Sequence, residues 1–448
     1  MNINFFKIIP VFLLFFLATC ASQPTDVSST ATTTGSDETE TETETEIEVE
    51  EESSAESSTE DDVVENSTTD AIETDPEVGA TESGSAVTTI TTPQDLSACA
   101  MDIHLHFNSN IAFSEGATLL QEKMKTLQIG DFVGLNFALL EPPPAPCPSC
   151  SSSQYTYEDD KNPSLETIID TNPTRFGLIA GGGELSPIIH EAARNKTTPS
   201  ADELLVFRQS AEAIIDDGAL GFGEMAALHL SFTDEHPFIE IPADHAYFLV
   251  LADVAAERDV PLDIHIEAVN QESYTFLEDM PSSCFKTVAK GGNNPATLKE
   301  NISAFKTLLS RNYDTALAEG DASKAKIVWS HVGWDNTGDL TAILVRELMA
   351  AHPNLYASLK MLDTAGPCQV IANRPLDENG DLQDEWKQLF VDYPDRFVLG
   401  ADDFTGNDAS ITAESPSLQG TWNLIGKLSD DLAYKFACEN PRRIYEME

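Results

Sequence analysis

Apolar and polar positions divide the chain into three parts. Residues 8–17 form an almost unbroken apolar run, residues 21–97 hold no aromatic side chain, and from residue 98 onward short β-rich runs alternate with longer amphipathic stretches. The β-rich runs fall at 101–107, 132–139, 175–180, 218–226, 261–266, 326–331, 354–359 and 396–400. Between them, stretches such as 203–216, 246–258, 298–311 and 342–351 carry apolar residues at the period of a helix. Strict alternation of strand and helix predicts a parallel sheet, and eight such units predict a closed (β/α)8 TIM barrel more than an open sheet. No GxGxxG follows the first strand, which counts against a dinucleotide-binding fold. Gly181, Gly182 and Gly183 have no lysine after them and read as a flexible turn rather than an anion cradle.

The first run is too short to span a bilayer and ends in Leu17-Ala18-Thr19-Cys20. That tetrad resembles a bacterial lipobox. The resemblance implies a signal peptide over 1–19, lipidation of Cys20 and an envelope location; Ala21 and Ser22, with no aspartate after the cysteine, favour the outer membrane. A multiply acylated cysteine would gain roughly 0.8 kcal/mol per buried methylene and hold the protein on the membrane. The next segment, to residue 97, has no lysine or arginine and holds 22 of the 76 acidic residues. It cannot bury enough apolar area to offset its ordering entropy, so it reads as a disordered acidic tether spanning about 50 Å or more.

Residues 98–448 are long enough for one large domain. Of the chain's formal charge of −51 they carry −30. That excludes nucleic acid as a direct partner, because phosphate binding needs basic patches. It leaves a small-molecule substrate, the lipid-anchored membrane contact and self-association into a homo-oligomer as the partners to consider. Six cysteines besides Cys20 lie here (Cys99, Cys147, Cys150, Cys284, Cys368 and Cys438), enough for up to three disulfides in an oxidising compartment. Cys147-Pro-Ser-Cys150 has no second CxxC or nearby histidine to complete a zinc site, so a disulfide is its better reading.

Histidines and acids gather at the predicted strand ends, where barrel enzymes keep their chemistry. His104 and His106 are two apart on one strand and so share a face. His265 ends the fifth strand, His331 the sixth, Glu224 lies at the end of the fourth, and Asp402 follows the eighth. Nitrogen and oxygen donors in that mix suit zinc, with manganese or iron as alternatives. Asp102 and Asp263 are candidates for outer contacts that fix the histidines. The remaining histidines, His190, His229, His236, His245 and His352, read as surface or loop residues, although His229 is close enough to the fourth strand to reach the mouth. Lys360 reads as a solvated lysine, with contact to a substrate carboxylate as its alternative.

Taken in order, these pieces resemble the amidohydrolase superfamily, and its amidohydrolase-2-like branch in particular. The resemblance covers nearly all of 100–448 and rests on His104-x-His106, the 241–245 and 260–265 segments, Lys326 to Gly333, Asp395 to Asp402, and Asn440 to Ile444. It implies a metal-dependent hydrolase that acts on an amide, lactone or ester bond of a small molecule through a metal-activated water. Asp402 would ligate the metal and move the proton. With two ions, Glu224 bridges them and His265 and His331 hold the second. With one ion, His265 completes its shell and His331 orients the substrate carbonyl. Where many relatives carry a carboxylated lysine, this chain has Glu224, which leaves one or two ions open. A metal-dependent decarboxylase and a non-catalytic surface lipoprotein are the alternatives. The loops 141–172, 228–244 and 268–294 carry no motif that names a substrate.

Overall fold

The computed structural model describes residues 96, 98–107, 128–129, 132–133, 137–141, 169, 173–231, 238–271, 285–311, 324–362, 371–405 and 416–447. The signal peptide, Cys20, the tether to residue 95, Cys147, Cys150, Cys284, Cys368 and His236 lie outside the described residues. In chain order the strands are β1 (Met101–Phe107), β2 (Gln128–Ile129), β3 (Phe132–Val133), β4 (Phe137–Glu141), β5 (Phe176–Leu178), β6 (Ala180–Gly181), β7 (Phe222–His229), β8 (Ile239–Glu240), β9 (Pro261–Ile266), β10 (Lys326–Val332), β11 (Leu355–Leu359), β12 (Phe397–Leu399) and β13 (Asp403–Thr405). The α-helices are α1 (Ser186–Arg194), α2 (Ala201–Asp216), α3 (Ala246–Arg258), α4 (Ile302–Leu309), α5 (Ala342–Ala351), α6 (Asp384–Asp392), α7 (Pro416–Asn423), α8 (Asp430–Tyr434) and α9 (Asn440–Ile444).

Two mainly parallel sheets carry most of the strands, in the orders β13-β1-β4-β5 and β12-β11-β10-β9-β7-β6, with β8 antiparallel on β7. Helices between the strands make this an α/β fold. Only Ile179 separates β5, in the first sheet, from β6, in the second. At that point Leu220 N donates to Leu178 O at 2.8 Å and Ala180 N to Gly221 O at 3.2 Å. The run through β12 and β13 likewise leaves one sheet and enters the other, and between them Asp402 N donates to His104 O at 2.8 Å.

Three of the expected strands are placed differently: the run at 175–180 divides at Ile179 into β5 and β6, and two others change as follows. The run at 132–139 divides into β3, which pairs antiparallel with β2, and β4, which is the parallel partner of β1. Gly134 and Asn136, both weak ladder formers, fall between the two pieces. The fourth strand begins at Phe222 and continues to His229, because the glycine-rich start at 218–221 offers little side-chain packing while 222–229 is buried throughout. Gly182 and Gly183 lie in a turn, as expected, while Gly181 does not. Gly181 belongs to β6, and a Cβ on Gly182 would lie 3.0 Å from the carbonyl oxygen of Glu224, so the glycine lets two backbones approach.

Local signals explain where helices begin. Ser200 caps α2 by accepting from Glu203 N, while the Glu203 carboxylate accepts from Ser200 N at 2.7 Å, a reciprocal cap worth about 1 kcal/mol. Apolar faces of the helices then pack against the strands, with Phe248 and Leu251 of α3, Phe305 of α4 and Trp386 of α6 all buried with Ile264, Ile327 and Leu355. A separate buried cluster joins Ile103, Ile179, Val328 and Val398, one from each of four strand runs, to Ile444 and Tyr445 at the C-terminal end. Burying a side chain of this size stabilises by roughly 1.5–3 kcal/mol. Cys99 and Cys438 form a disulfide between the segment just before β1 and the turn of π-helix at Lys435–Glu439.

Candidate metal centre

Six residues named from the sequence, His104, His106, Glu224, His265, His331 and Asp402, come together along β1 and β7 and at the ends of β9, β10 and β12. Glu224, expected at the end of the fourth strand, is instead the third residue of β7, because that strand starts later and runs on to His229. The Nε2 atoms of His104 and His106 are 3.1 Å apart. His106 Nε2 lies 2.9 Å from Asp402 Oδ1, and His104 Nε2 lies 3.6 Å from the same oxygen. Glu224 Oε2 is 3.8 Å from His104 Nε2 and 3.6 Å from His106 Nε2. A tetrahedral ion with ligand bonds of about 2.0–2.2 Å separates neighbouring donor atoms by about 3.3–3.6 Å. The observed spacings straddle that range, so this donor set fits a divalent cation. His104, Glu224, His331 and Asp402 each offer a ligand atom within 4.8 Å of the others.

The second carboxylate oxygen of Glu224 faces a different pair. Its Oε1 is 2.5 Å from His265 Nδ1 and 2.7 Å from His331 Nε2. The rings of His265 and His331 pack edge to face with centroids 4.6 Å apart. Glu224 therefore divides its two oxygens between two pairs of imidazoles.

Backbone geometry aims two of these side chains. His331 and Asp402 both adopt the left-handed region, with φ of 64° and 49°. Such a conformation costs a non-glycine residue on the order of 1–3 kcal/mol, and it turns each side chain out of its strand's regular alternation. Gly400 makes room on the other side, since a Cβ there would come 2.9 Å from the Cβ of His104.

Burial and charge act against each other throughout the cluster. Burial favours neutral His104 and holds its pKa well below the usual imidazole value. Burial opposes charge on His106 as well, but Asp402 and Glu224 outweigh it and raise that ring well above the usual value. The carboxyls of Glu224 and Asp402 are pushed up by burial but held well below their usual values by their neighbours, His265 and His331 for the first and Lys360 and His331 for the second. A cluster that holds protons and charges so tightly must exchange protons for any cation it takes.

Several residues differ from their expected roles. Asp102 does not reach a histidine ring. A register shift between Asp102 and Leu105 in the β1–β4 pairing breaks the two-residue alternation, and the carboxylate instead accepts from His104 N, Ala401 N and Trp422 Nε1. Burial pushes its pKa up to about 7 despite these donors. Asp263 accepts from the Tyr445 hydroxyl at 2.8 and 3.0 Å, which ties β9 to the C-terminal end rather than to His265. His229 and His352 are buried, and the His229 ring lies 4.8 Å from that of His265. His245 caps α3. Lys360 is not a solvated lysine: its ammonium pairs with Asp402 Oδ2 and sits 4.4 Å over the ring of Trp334.

Glu267 was not among the residues picked out from the sequence. Its Oε1 lies 3.4 Å from His265 Nε2 and accepts from Asn336 Nδ2 at 2.8 Å. The period-two argument that pairs His104 with His106 applies equally to His265 and Glu267 and was the available signal. Trp334 and Asn336 lie in the loop after β10 and gave none.

No family model matches this chain, and no curated protein does. Solved structures do match. N-acyl-D-glutamate deacylase from Bordetella bronchiseptica, complexed with zinc and a phosphonate inhibitor, is 16% identical over 78% of this chain and 75% of its own, with a TM-score of 0.44. Dihydroxybenzoic acid decarboxylase from Polaromonas sp. JS666, with bound manganese, is 14% identical over 78% of this chain and 97% of its own, with a TM-score of 0.38. The manganese complex of 5-carboxyvanillate decarboxylase from Novosphingobium aromaticivorans DSM 12444 is 11% identical over 80% of this chain and all (100%) of its own, also with a TM-score of 0.38. Amidohydrolases are among the other matched structures.

Proposed function

We propose that this chain is a metal-dependent hydrolase of the amidohydrolase type, built on a closed (β/α)8 barrel and cleaving an amide, lactone or ester bond in a small molecule. The observation that carries this reading is the division of Glu224: Oε2 faces His104 and His106, and Oε1 faces His265 and His331. That is the arrangement of a carboxylate placed to bridge two cations. The barrel is supported by the two stretches, 176–181 and 397–405, that pass from one sheet into the other.

His104, His106, Glu224 and Asp402 would hold one ion; Glu224, His265 and His331 would hold the second. When bound, such ions supply Lewis acidity, which polarises a carbonyl and lowers the pKa of water from 15.7 towards roughly 7. Zinc suits the donors best, and manganese or iron are the alternatives. Asp402 takes the proton of the attacking water on its carboxylate and passes it to the leaving group. Glu267 and Asn336 hold His265 in place through its Nε2, leaving Nδ1 towards Glu224.

The same proposal keeps the protein in the bacterial envelope, anchored through Cys20. The lipobox resemblance supports this, and so does the Cys99–Cys438 disulfide, which persists in oxidising compartments.

One observation favours a second reading. His104, Glu224, His331 and Asp402 form a compact set on their own, and a single ion there would suit a decarboxylase. Metal analysis by mass spectrometry on the purified protein, with His104→Asn and Glu224→Gln, separates the two. About two equivalents, falling to one or fewer in both variants, supports the hydrolase. About one equivalent in the wild type, lost in His104→Asn, favours decarboxylation. No metal after reconstitution would overturn both.

A further inference from the structure

Lys360 is a feature of the site that metal binding leaves without a purpose. It follows β11, and its backbone N–H donates to Val332 O at 3.1 Å, which fixes the start of the side chain beside the end of β10. The side chain is 14% exposed and the ammonium pairs with Asp402 Oδ2. Trp334 lies beneath it at 4.4 Å, and Trp334 Nε1 in turn donates to Asn336 Oδ1 at 2.8 Å. Asn336 donates to Glu267, which stands behind His265. The lysine is therefore mounted on a connected set of side chains that also holds His265.

A lysine is a poor choice if the only need is to orient Asp402. A neutral donor such as asparagine would make the same hydrogen bond without repelling a divalent cation bound to that carboxylate. A fixed positive charge at the mouth becomes favourable when the incoming molecule is an anion. The site already holds three acidic side chains, Glu224, Glu267 and Asp402, which would repel such a molecule. An anionic group entering beside Asp402 competes for the same ammonium, which the face of Trp334 holds in place.

We infer that Lys360, backed by Trp334, is a recognition residue for a carboxylate on the substrate, so that the bond cleaved belongs to a carboxylate-bearing small molecule. This rests on the hydrolase reading for the identity of the bond, but the recognition itself is tested apart from turnover. The probes are two pairs matched in shape and differing in charge: benzoate with benzamide, and N-acetylglycine with N-acetylglycinamide. Their affinities are measured by titration calorimetry on the full protein, on Lys360→Met and on Lys360→Arg, with metal content determined for each. Charge-assisted hydrogen bonding predicts that the wild type prefers the anionic member of a pair by about 10–100-fold. Lys360→Met should abolish the preference at unchanged metal content, and Lys360→Arg should restore most of it. Equal binding of the two members by the wild type overturns the inference. So does a preference that survives in Lys360→Met, or a loss there that is equal for the charged and neutral probes. A wild type without metal would sink the hydrolase reading alone, because the pairs can be compared in the metal-free protein as well.

Discussion

Nε2 of His265 lies 3.4 Å from Oε1 of Glu267, its neighbour two residues along the chain. Carboxylates in this position orient a metal-ligating imidazole and raise its basicity, and losing one typically costs 10–100-fold in metal affinity. Glu267→Gln keeps the shape and the Asn336 contact in reach while removing the charge. It is expected to weaken zinc binding by about 10–100-fold, read by competition with a chromophoric chelator. Unchanged affinity would detach Glu267 from the metal centre.

The same histidine makes metal-free stability depend on pH. Burial opposes its charge, but Glu224 and Glu267 outweigh burial and push its pKa up to about 10, against 6.5 in an unfolded chain. The folded value is the higher one, so the stabilising contribution is fully present below pH 6.5 and is lost as pH rises through about 10. Chelator-treated protein should show a falling Tm across that interval. Metal-loaded protein should be flatter there, because the cation replaces the proton. Thermal unfolding of both forms from neutral to alkaline pH checks this, and parallel curves would contradict it.

Cys99 and Cys438 are bonded across a sequence separation of 339. Closing so long a loop removes many conformations from the unfolded chain. Replacing both cysteines by serine should cost about 2–5 kcal/mol, measured by urea unfolding at equal metal occupancy. Since Cys99 lies just ahead of β1, the double variant should also release metal at lower urea than the wild type. A change within error would show that packing alone secures this end.

Gly400 is required by space rather than by backbone conformation. A Cβ there would meet the Cβ of His104 at 2.9 Å and that of Ser358 at 3.2 Å. Gly400→Ala should destabilise by about 1–3 kcal/mol and displace His104, so that metal affinity falls with stability. Loss of stability at full metal affinity would mean that Ser358 and its strand yield instead of His104.

Where the chain's periodicity is unbroken, sequence alone located the elements closely. The expected helices at 246–258 and 342–351 have the bounds of α3 and α5, and the expected strands at 101–107 and 261–266 have those of β1 and β9. Buried, continuous patterns of this kind leave one face to pack and little choice of register. The exceptions have local causes: the run expected at 132–139 contains the weak ladder formers Gly134 and Asn136, and a register shift after Asp102 accompanies the turning of that carboxylate towards Trp422.

From residues alone came the α/β alternation, the six candidate ligands, and the possibility that Lys360 meets an anion, since each of these depends only on residue type and local period. The tertiary structure decided which groups face one another. It set Lys360 on Asp402 across the β11–β12 pairing, divided Glu224 between two histidine pairs, and brought Glu267, Trp334 and Asn336 behind them. These relationships depend on lateral strand order, a bulge and two left-handed residues, all selected by packing between segments far apart in the chain. Apart from the two-residue spacing of His265 and Glu267, no local pattern encodes them.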